Sequence, residues 1–274
     1  MLERAIPRTG EQLPVIGLGT WQTFDVGPGP YESHAQLLRR FVELGGRVVD
    51  SSPMYGRAEA VVGKLASELR LHDQLFLATK VWTTGRAAGL AQMQASLGKL
   101  QRAGIELLQV HNLVDVETHL DTLSDWKATG LVRYVGVTHY TLEAHELLEP
   151  FVRRGEIDFI QFNYSLAVRH AEERLLPLAA EHGVATLINR PFENGELFRS
   201  TARKQLPDVA RELGCTTWAQ PLLKYVVSHP AVTCVIPATA NLRHLEENMA
   251  AGDEPLPDSR EREAIVRAWH DSTS

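Results

Sequence analysis

Residues 75–81, LFLATKV, and residues 107–112, LLQVHN, are short runs with an apolar body and one titratable side chain close to the end, Lys80 and His111. Such runs read as strands covered on both faces, the condition of a parallel sheet. TCVIP at 233–237 has the same character. Working outward, further β-type runs stand at Val15–Thr20, Arg47–Ser51, Arg133–Thr138, Phe159–Asn163 and Ala185–Arg190, which makes eight with Leu75–Val81, Leu107–Asn112 and Thr233–Pro237.

Segments of helical period lie between them. Ser33 is placed to cap a helix carrying Leu37, Leu38, Phe41 and Val42 that stops at Gly45-Gly46. Ala58–Leu71 sets Val61, Val62, Leu65 and Leu69 on one side, and Thr141 starts a helix through Leu147, Leu148, Phe151 and Val152 that Pro150 should kink. Ala87–Arg102, His119–Thr129, Ala171–His182, Thr216–His229 and Leu242–Ala250 complete the set.

Eight alternations without a linker predict an α/β architecture: one (β/α)8 TIM barrel spanning residues 1–274 as a single domain. Ile6 to Pro14, around Thr9-Gly10-Glu11, predicts an N-terminal β-hairpin, and the tail EPLPDSREREAIVRAWHDSTS predicts a short C-terminal helix on the barrel. A doubly wound sheet is the rival. Its Gly-rich turn would fall at GLGTWQ, where the third glycine is missing.

Composition bounds the function. With 28 Lys+Arg against 34 Asp+Glu, the net charge of −6 argues against a duplex nucleic-acid partner, which requires a basic stripe. No window is long and apolar enough for a membrane span, and the opening MLERAIPRTGEQLPVIG shows no signal-peptide pattern, so a cytoplasmic monomer is expected. Cys215 and Cys234 form no C-x-x-C pair and are read as buried free thiols. Of the eleven histidines, His119, His145, His170, His182 and His229 are read as solvated surface groups. No metal site is expected: the H-x-H pair or acidic strand ends of barrel hydrolases are missing, as is the G-x-S-x-G elbow of a serine hydrolase.

In a barrel the chemistry gathers at the carboxyl ends of the strands. There stand Asp50, Tyr55 just beyond it, Lys80, and His111 followed by Asn112. Each has an ordinary reading: Asp50 as a helix cap, Tyr55 as a rim aromatic, Lys80 and His111 as solvated ends. As a set they form a proton-delivery kit. Lysine beside a phenol favours phenolate and lowers its pKa, a carboxylate holds the lysine, and a histidine donates to a substrate oxygen. The kit suits reduction of a carbonyl and lacks a hydride source, which a cofactor must bring.

At these residues the chain resembles the aldo-keto reductase superfamily. GLGTW, VVDSSPMYGRAEAVVGKL, FLATKVW and LLQVHNL are similar to that family's successive motifs in order and spacing. The resemblance implies catalytic Asp50, Tyr55, Lys80 and His111, with Tyr55 as general acid, and an NADP(H) cofactor with NAD(H) left open. It also implies cofactor contacts at Gly19, Thr20, Trp21 and Asp50, at Thr138 and His139 in YVGVTHY, at Gln161 in IQFNYS, and at Asn189, Arg190, Pro191 and Phe192 in LINRPF. His139 replaces the usual asparagine and Asn189 the usual stacking aromatic. VIPATANLRHLEEN resembles the adenosine-binding motif and supplies Thr239, Asn241, Arg243, His244, Glu247 and Asn248. Ala238 and His244 stand where a lysine and an arginine usually meet the 2′-phosphate. Trp21, Trp82 and Asn112 are placed to line a pocket for a small-molecule carbonyl substrate, an aldehyde or ketone reduced to an alcohol. The rival function is a cofactor-binding redox sensor or docking module with little turnover.

Overall fold

A computed structural model describes residues 1–202 and 204–270. The chain opens with an antiparallel pair, β1 (Glu3–Ala5) and β2 (Gln12–Pro14). Eight strands follow: β3 (Leu18–Gly19), β4 (Val48–Asp50), β5 (Phe76–Val81), β6 (Ile105–His111), β7 (Val132–Thr138), β8 (Phe159–Asn163), β9 (Ala185–Asn189) and β10 (Cys234–Val235). They alternate with α1 (Glu32–Glu43), α2 (Ala58–Glu68), α3 (Arg86–Leu100), α4 (Val116–Ala128), α5 (His145–Arg154) and α6 (Leu175–Glu181). After β9 come α7 (Glu196–Thr201), α8 (Asp208–Glu212) and α9 (Ala219–Val227), and after β10 come α10 (Leu242–Ala250) and α11 (Ser259–His270).

Neighbouring strands pair in parallel in chain order from β3 to β10. Bridges from Ile16 to Val235 and from Gly19 to Ala238 join the first strand to the last. Val235 N–H donates to Val15 O at 2.9 Å, and Gly17 N–H returns to Val235 O at 2.8 Å. The sheet is therefore closed into a barrel, and the doubly wound alternative falls. Closure favours glycine at the seam: a Cβ on Gly17 would sit 3.1 Å from Cys234 Sγ and from the Ile236 side chain, and one on Gly19 would sit 2.8 Å from Ile236 O.

Side chains alternate across each strand, so two cores form. Val48, Phe76, Ala78, Leu107, Tyr134, Phe159, Leu187, Cys234 and Ile236 fill the barrel, with Ile6 and Leu13 of the hairpin packed against the same cluster. The rings of Phe76, Tyr134 and Phe159 meet at centroid distances of 5.5–5.9 Å. Tyr134 Oη donates to Glu11 Oε2 at 2.8 Å and lies 2.8 Å from Thr9 Oγ1, which ties the hairpin turn to the barrel floor. Arg4 donates to the carbonyls of Val227 and His229 at 2.6 and 2.7 Å and to that of Val232, where its charge also meets the C-terminal dipole of α9. The opposite strand faces pack on the helices in one continuous cluster.

Several expectations change. Ser33 lies inside α1; the preceding position is Tyr31, whose left-handed backbone makes no side-chain cap. The helix expected over Ala171–His182 divides into a 3-10 turn at His170–Glu172 and α6, and the one expected over Thr216–His229 is confined to α9. Pro150 sits inside α5. His119 and His145 are buried rather than solvated: His119 Nε2 lies 2.7 Å from Thr83 O, and His145 Nε2 lies 2.9 Å from Asn163 Oδ1. Helix-face position did not predict this, because His119 is pressed against Gly89 of α3 and the loop after β5, and His145 against the end of β8. Cys215 and Cys234 are free and buried. The C-terminal helix α11 packs on α8 and α9, held by Arg262, which reaches Tyr164 Oη, Glu172 Oε1 and Ser228 Oγ at 2.7–3.0 Å. Residues 271–274 of the tail lie outside the described residues.

Candidate active site

The carboxyl ends of β3, β4, β6, β7, β8, β9 and β10 open into a cavity of about 570 Å³. Asp50 ends β4, and Ser51 and Ser52 follow it into a turn in which Tyr55 N–H donates to Ser52 O at 3.0 Å. The turn is clamped at Gly56, whose φ of 57° suits glycine and where a Cβ would lie 2.3 Å from the Asp25 carboxylate. Asp25 in turn accepts from Arg57 N–H at 3.0 Å. The Tyr55 ring is thereby aimed at the ends of β5 and β6.

Lys80 is completely buried, a costly position for an ammonium without partners. It donates to Asp50 Oδ2 at 2.6 Å and to Ser51 O at 2.7 Å, and its nitrogen stands 5.1 Å from the centre of the Tyr55 ring. The other carboxylate oxygen of Asp50 accepts from Gln161 Nε2 at 2.9 Å, and Gln161 Oε1 accepts from Thr138 Oγ1 at 2.8 Å. One chain of polar contacts thus runs from β7 through β8 and β4 to β5. The rings of Tyr55 and His111 meet edge-to-face at 6.1 Å. The four residues separated in sequence are therefore one cluster.

Burial and charge set their protonation. Burial pulls the Lys80 ammonium down, but Asp50 and Tyr55 outweigh it and hold its pKa above the ordinary value. Burial pushes the Tyr55 phenol up; Lys80 pulls it down as expected from sequence, yet the net direction is upward, so the phenol keeps its proton at neutral pH. His111 is pushed down to about 3, by burial first and then by Lys80 and His139, and is neutral.

The cavity wall also contains Gly19, Thr20, Trp21, Thr138, Gln161 and the run Asn189–Phe192. Asn112 lines it as well. Trp82 is exposed and outside the wall, its backbone exchanging hydrogen bonds with the Gln92 amide. His139 is outside it too, stacked on Tyr140 at 5.5 Å. Met54, Tyr140 and Phe198 line the wall without having been singled out from sequence. Met54 and Tyr140 each lie within two residues of a site position, a signal that proximity could have supplied; Phe198 sits on α7, beyond the strand ends, and carried none.

On the far rim, Asn241 spends its side chain as the cap of α10, accepting from His244 N–H at 3.2 Å. Thr239 Oγ1 accepts from Asn241 N–H at 3.1 Å. Asn248 is buried, and Arg243, 80% exposed, is paired with Glu247 at 2.9 Å. Among the described residues there is no cluster of His, Cys, Asp or Glu able to hold a metal, and no helix long and apolar enough to cross a membrane.

A chain with this barrel and this cluster matches the family model described as "Aldo/keto reductase family" over residues 15–265. The protein belongs to the aldo/keto reductase family. It is similar to "Aldo-keto reductase YhdN" of Bacillus subtilis (strain 168), 30% identical over 67% of this chain and 60% of that protein. It is 27% identical to "Methylglyoxal reductase YeaE" of Escherichia coli (strain K12) over 91% of this chain and 89% of that one. A solved aldo/keto reductase from Klebsiella pneumoniae, crystallised with NADP and acetate, superposes with a TM-score of 0.82 at 27% identity, covering 98% of this chain and 96% of its own. As an aldo/keto reductase the protein is an NAD(P)H-dependent oxidoreductase.

The residues present suit a nicotinamide cofactor. Asn189 Oδ1 and Asn112 Oδ1, at the strand ends that line the cavity, are buried acceptors without a partner among the described residues. An orphaned buried acceptor costs about 1–3 kcal/mol, and an amide N–H from a bound group would relieve it. Arg190 adds a cation at the wall; its backbone is left-handed at φ 52° and its guanidinium reaches Tyr140 O at 3.2 Å.

Proposed function

We propose that this protein reduces the carbonyl group of small aldehydes or ketones to an alcohol, with NADP(H) as the preferred cofactor. The observation that carries the reading is the buried Lys80, held by Asp50 at 2.6 Å and set 5.1 Å from the Tyr55 ring at a cavity that His111 also lines. Thr138, Gln161, Asn189 and Arg190 are the residues that would hold the cofactor's nicotinamide end and diphosphate. When bound, the nicotinamide supplies a hydride to the carbonyl carbon. Tyr55 then delivers its phenolic proton to the carbonyl oxygen, and Lys80 stabilises the phenolate left behind. Asp50 keeps Lys80 charged and oriented. His111, neutral, donates a hydrogen bond that places the carbonyl oxygen beside Tyr55.

The rim favours uncharged apolar substrates. Trp21, Met54, Tyr140 and Phe198 are exposed large apolar side chains around the opening, and Arg190, the cation at the wall, is assigned to the cofactor's diphosphate rather than to the substrate. The test is NADPH oxidation with a panel of benzaldehydes, short aldehydes and sugar phosphates, with wild type and Tyr55→Phe. Expected are turnover of the apolar carbonyls by wild type, and loss of about a hundredfold or more in kcat for Tyr55→Phe with NADPH affinity unchanged. Retained turnover in that variant refutes the mechanism; sugar phosphates as the best substrates refute the rim argument.

A further inference from the structure

Ser52 is fully buried, and its hydroxyl lies against the ring of His111. Ser52 Oγ is 3.1 Å from His111 Nδ1 and accepts from Met54 N–H at 3.2 Å. The second contact is a local turn, and Pro53, lacking an N–H, holds Ser52 to extended backbone ahead of it. A hydroxyl has one proton to give and two lone pairs, and Met54 N–H takes one of the lone pairs. Among the described residues Nδ1 is the one acceptor within reach of this proton. The opposite arrangement, Nδ1–H donating to Oγ, would leave a buried hydroxyl proton unpaired, which is costly, so the favoured arrangement gives the proton to Nδ1. Neutral imidazole carries a single N–H. If Nδ1 accepts, that N–H is on Nε2, the ring edge away from Ser52 and left for the cavity that His111 lines.

We infer that Ser52 is a positioning residue for carbonyl reduction: by donating to Nδ1 it holds His111 as the Nε2–H tautomer, the one able to donate to a substrate oxygen. The opposite tautomer would turn a lone pair toward that oxygen and repel it. The neutrality of His111 is what makes the choice of tautomer matter, since an imidazolium would donate from both edges. This inference rests on the reading of His111 as the donor to the carbonyl.

The experiment is a long-range 1H–15N correlation spectrum of 15N-histidine-labelled enzyme, with His111→Gln used to assign the ring signals. Wild type should show Nε2 protonated and Nδ1 bare. In Ser52→Ala the ring should become a mixture of tautomers, and kcat should fall about fivefold, the net worth of one hydrogen bond, with the KM for NADPH unchanged. Ser52→Thr, which keeps the hydroxyl, should restore both; should its added methyl prevent folding, Ser52→Cys, of similar shape but a weak donor, should behave as alanine does. A wild-type Nδ1–H tautomer overturns the inference, and so does a Ser52→Ala enzyme whose ring signals or kcat match wild type. Tyr55→Phe separates the two readings: its ring spectrum should match wild type although turnover is lost, whereas an active Tyr55→Phe enzyme would sink the mechanism and leave the tautomer assignment standing.

Discussion

Replacing Lys80 by methionine removes one half of a buried ion pair while nearly conserving volume. Asp50 would keep the Gln161 amide on Oδ1, at 2.9 Å, but Oδ2 would lose the one cation it meets among the described residues, and Ser51 O would lose its side-chain donor. With Asp50 almost wholly buried, solvent makes up for little of the lost ammonium. Breaking such a pair by removing one partner costs about 3–5 kcal/mol. At roughly 2–4 °C per kcal/mol for a chain approaching this size, the melting temperature should drop by on the order of 10 °C. The double variant Asp50→Asn, Lys80→Met leaves no uncompensated charge and should recover at least half of that loss, while both variants lose carbonyl reduction. Thermal unfolding followed by circular dichroism, alongside NADPH oxidation, reads both effects. A single variant melting within about 2 °C of wild type, or a double variant less stable than Lys80→Met, would falsify the argument that the pair's value lies in mutual neutralisation.

The neutrality of His111 has a pH signature. Its native value of about 3 lies below the ordinary 6.5, so the unfolded chain takes up this proton first; the associated stability is complete above pH 6.5 and is lost as pH falls toward 3. The His111 ring signals should therefore stay fixed from pH 8 to 5, and a midpoint above pH 5.5 would contradict the burial argument. At the far rim, Arg243 is tied to Glu247 and Ala238 offers no charge. Ala238→Lys should improve NADPH over NADH by about tenfold in the ratio of KM values through one charge-assisted hydrogen bond, with kcat unchanged; an unaltered ratio would place the 2′-phosphate elsewhere.

The barrel was legible because its signal is periodic. Eight apolar runs at helix-length spacing have few ways to bury both faces, and closure is favoured where Gly17 and Gly19 let the first strand approach the last. Asp50, Lys80 and His111 were legible for a related reason: an ionisable residue at the end of a run that is otherwise buried is out of place unless it has partners or work. Helix-face reasoning did worse. His119 and His145 lie on amphipathic helices, where polarity alone suggests solvent, yet one finds an oxygen in the loop after β5 and the other an oxygen at the end of β8, which no local pattern reveals. The direction of the Tyr55 phenol failed in the same way, since spacing shows that Lys80 is near and cannot show how much water the fold excludes. Ser52 is the sharpest case. In sequence it is one of two serines before a proline; only the turn that aims Tyr55 also brings the Ser52 hydroxyl to His111. Its meaning is a matter of which atom holds a proton, and that follows from three-dimensional partners alone. What sequence can show is where charge is expensive; how the fold repays that cost, through Gln161, Thr138 and Ser52, is decided by contacts between strands that lie far apart in the chain.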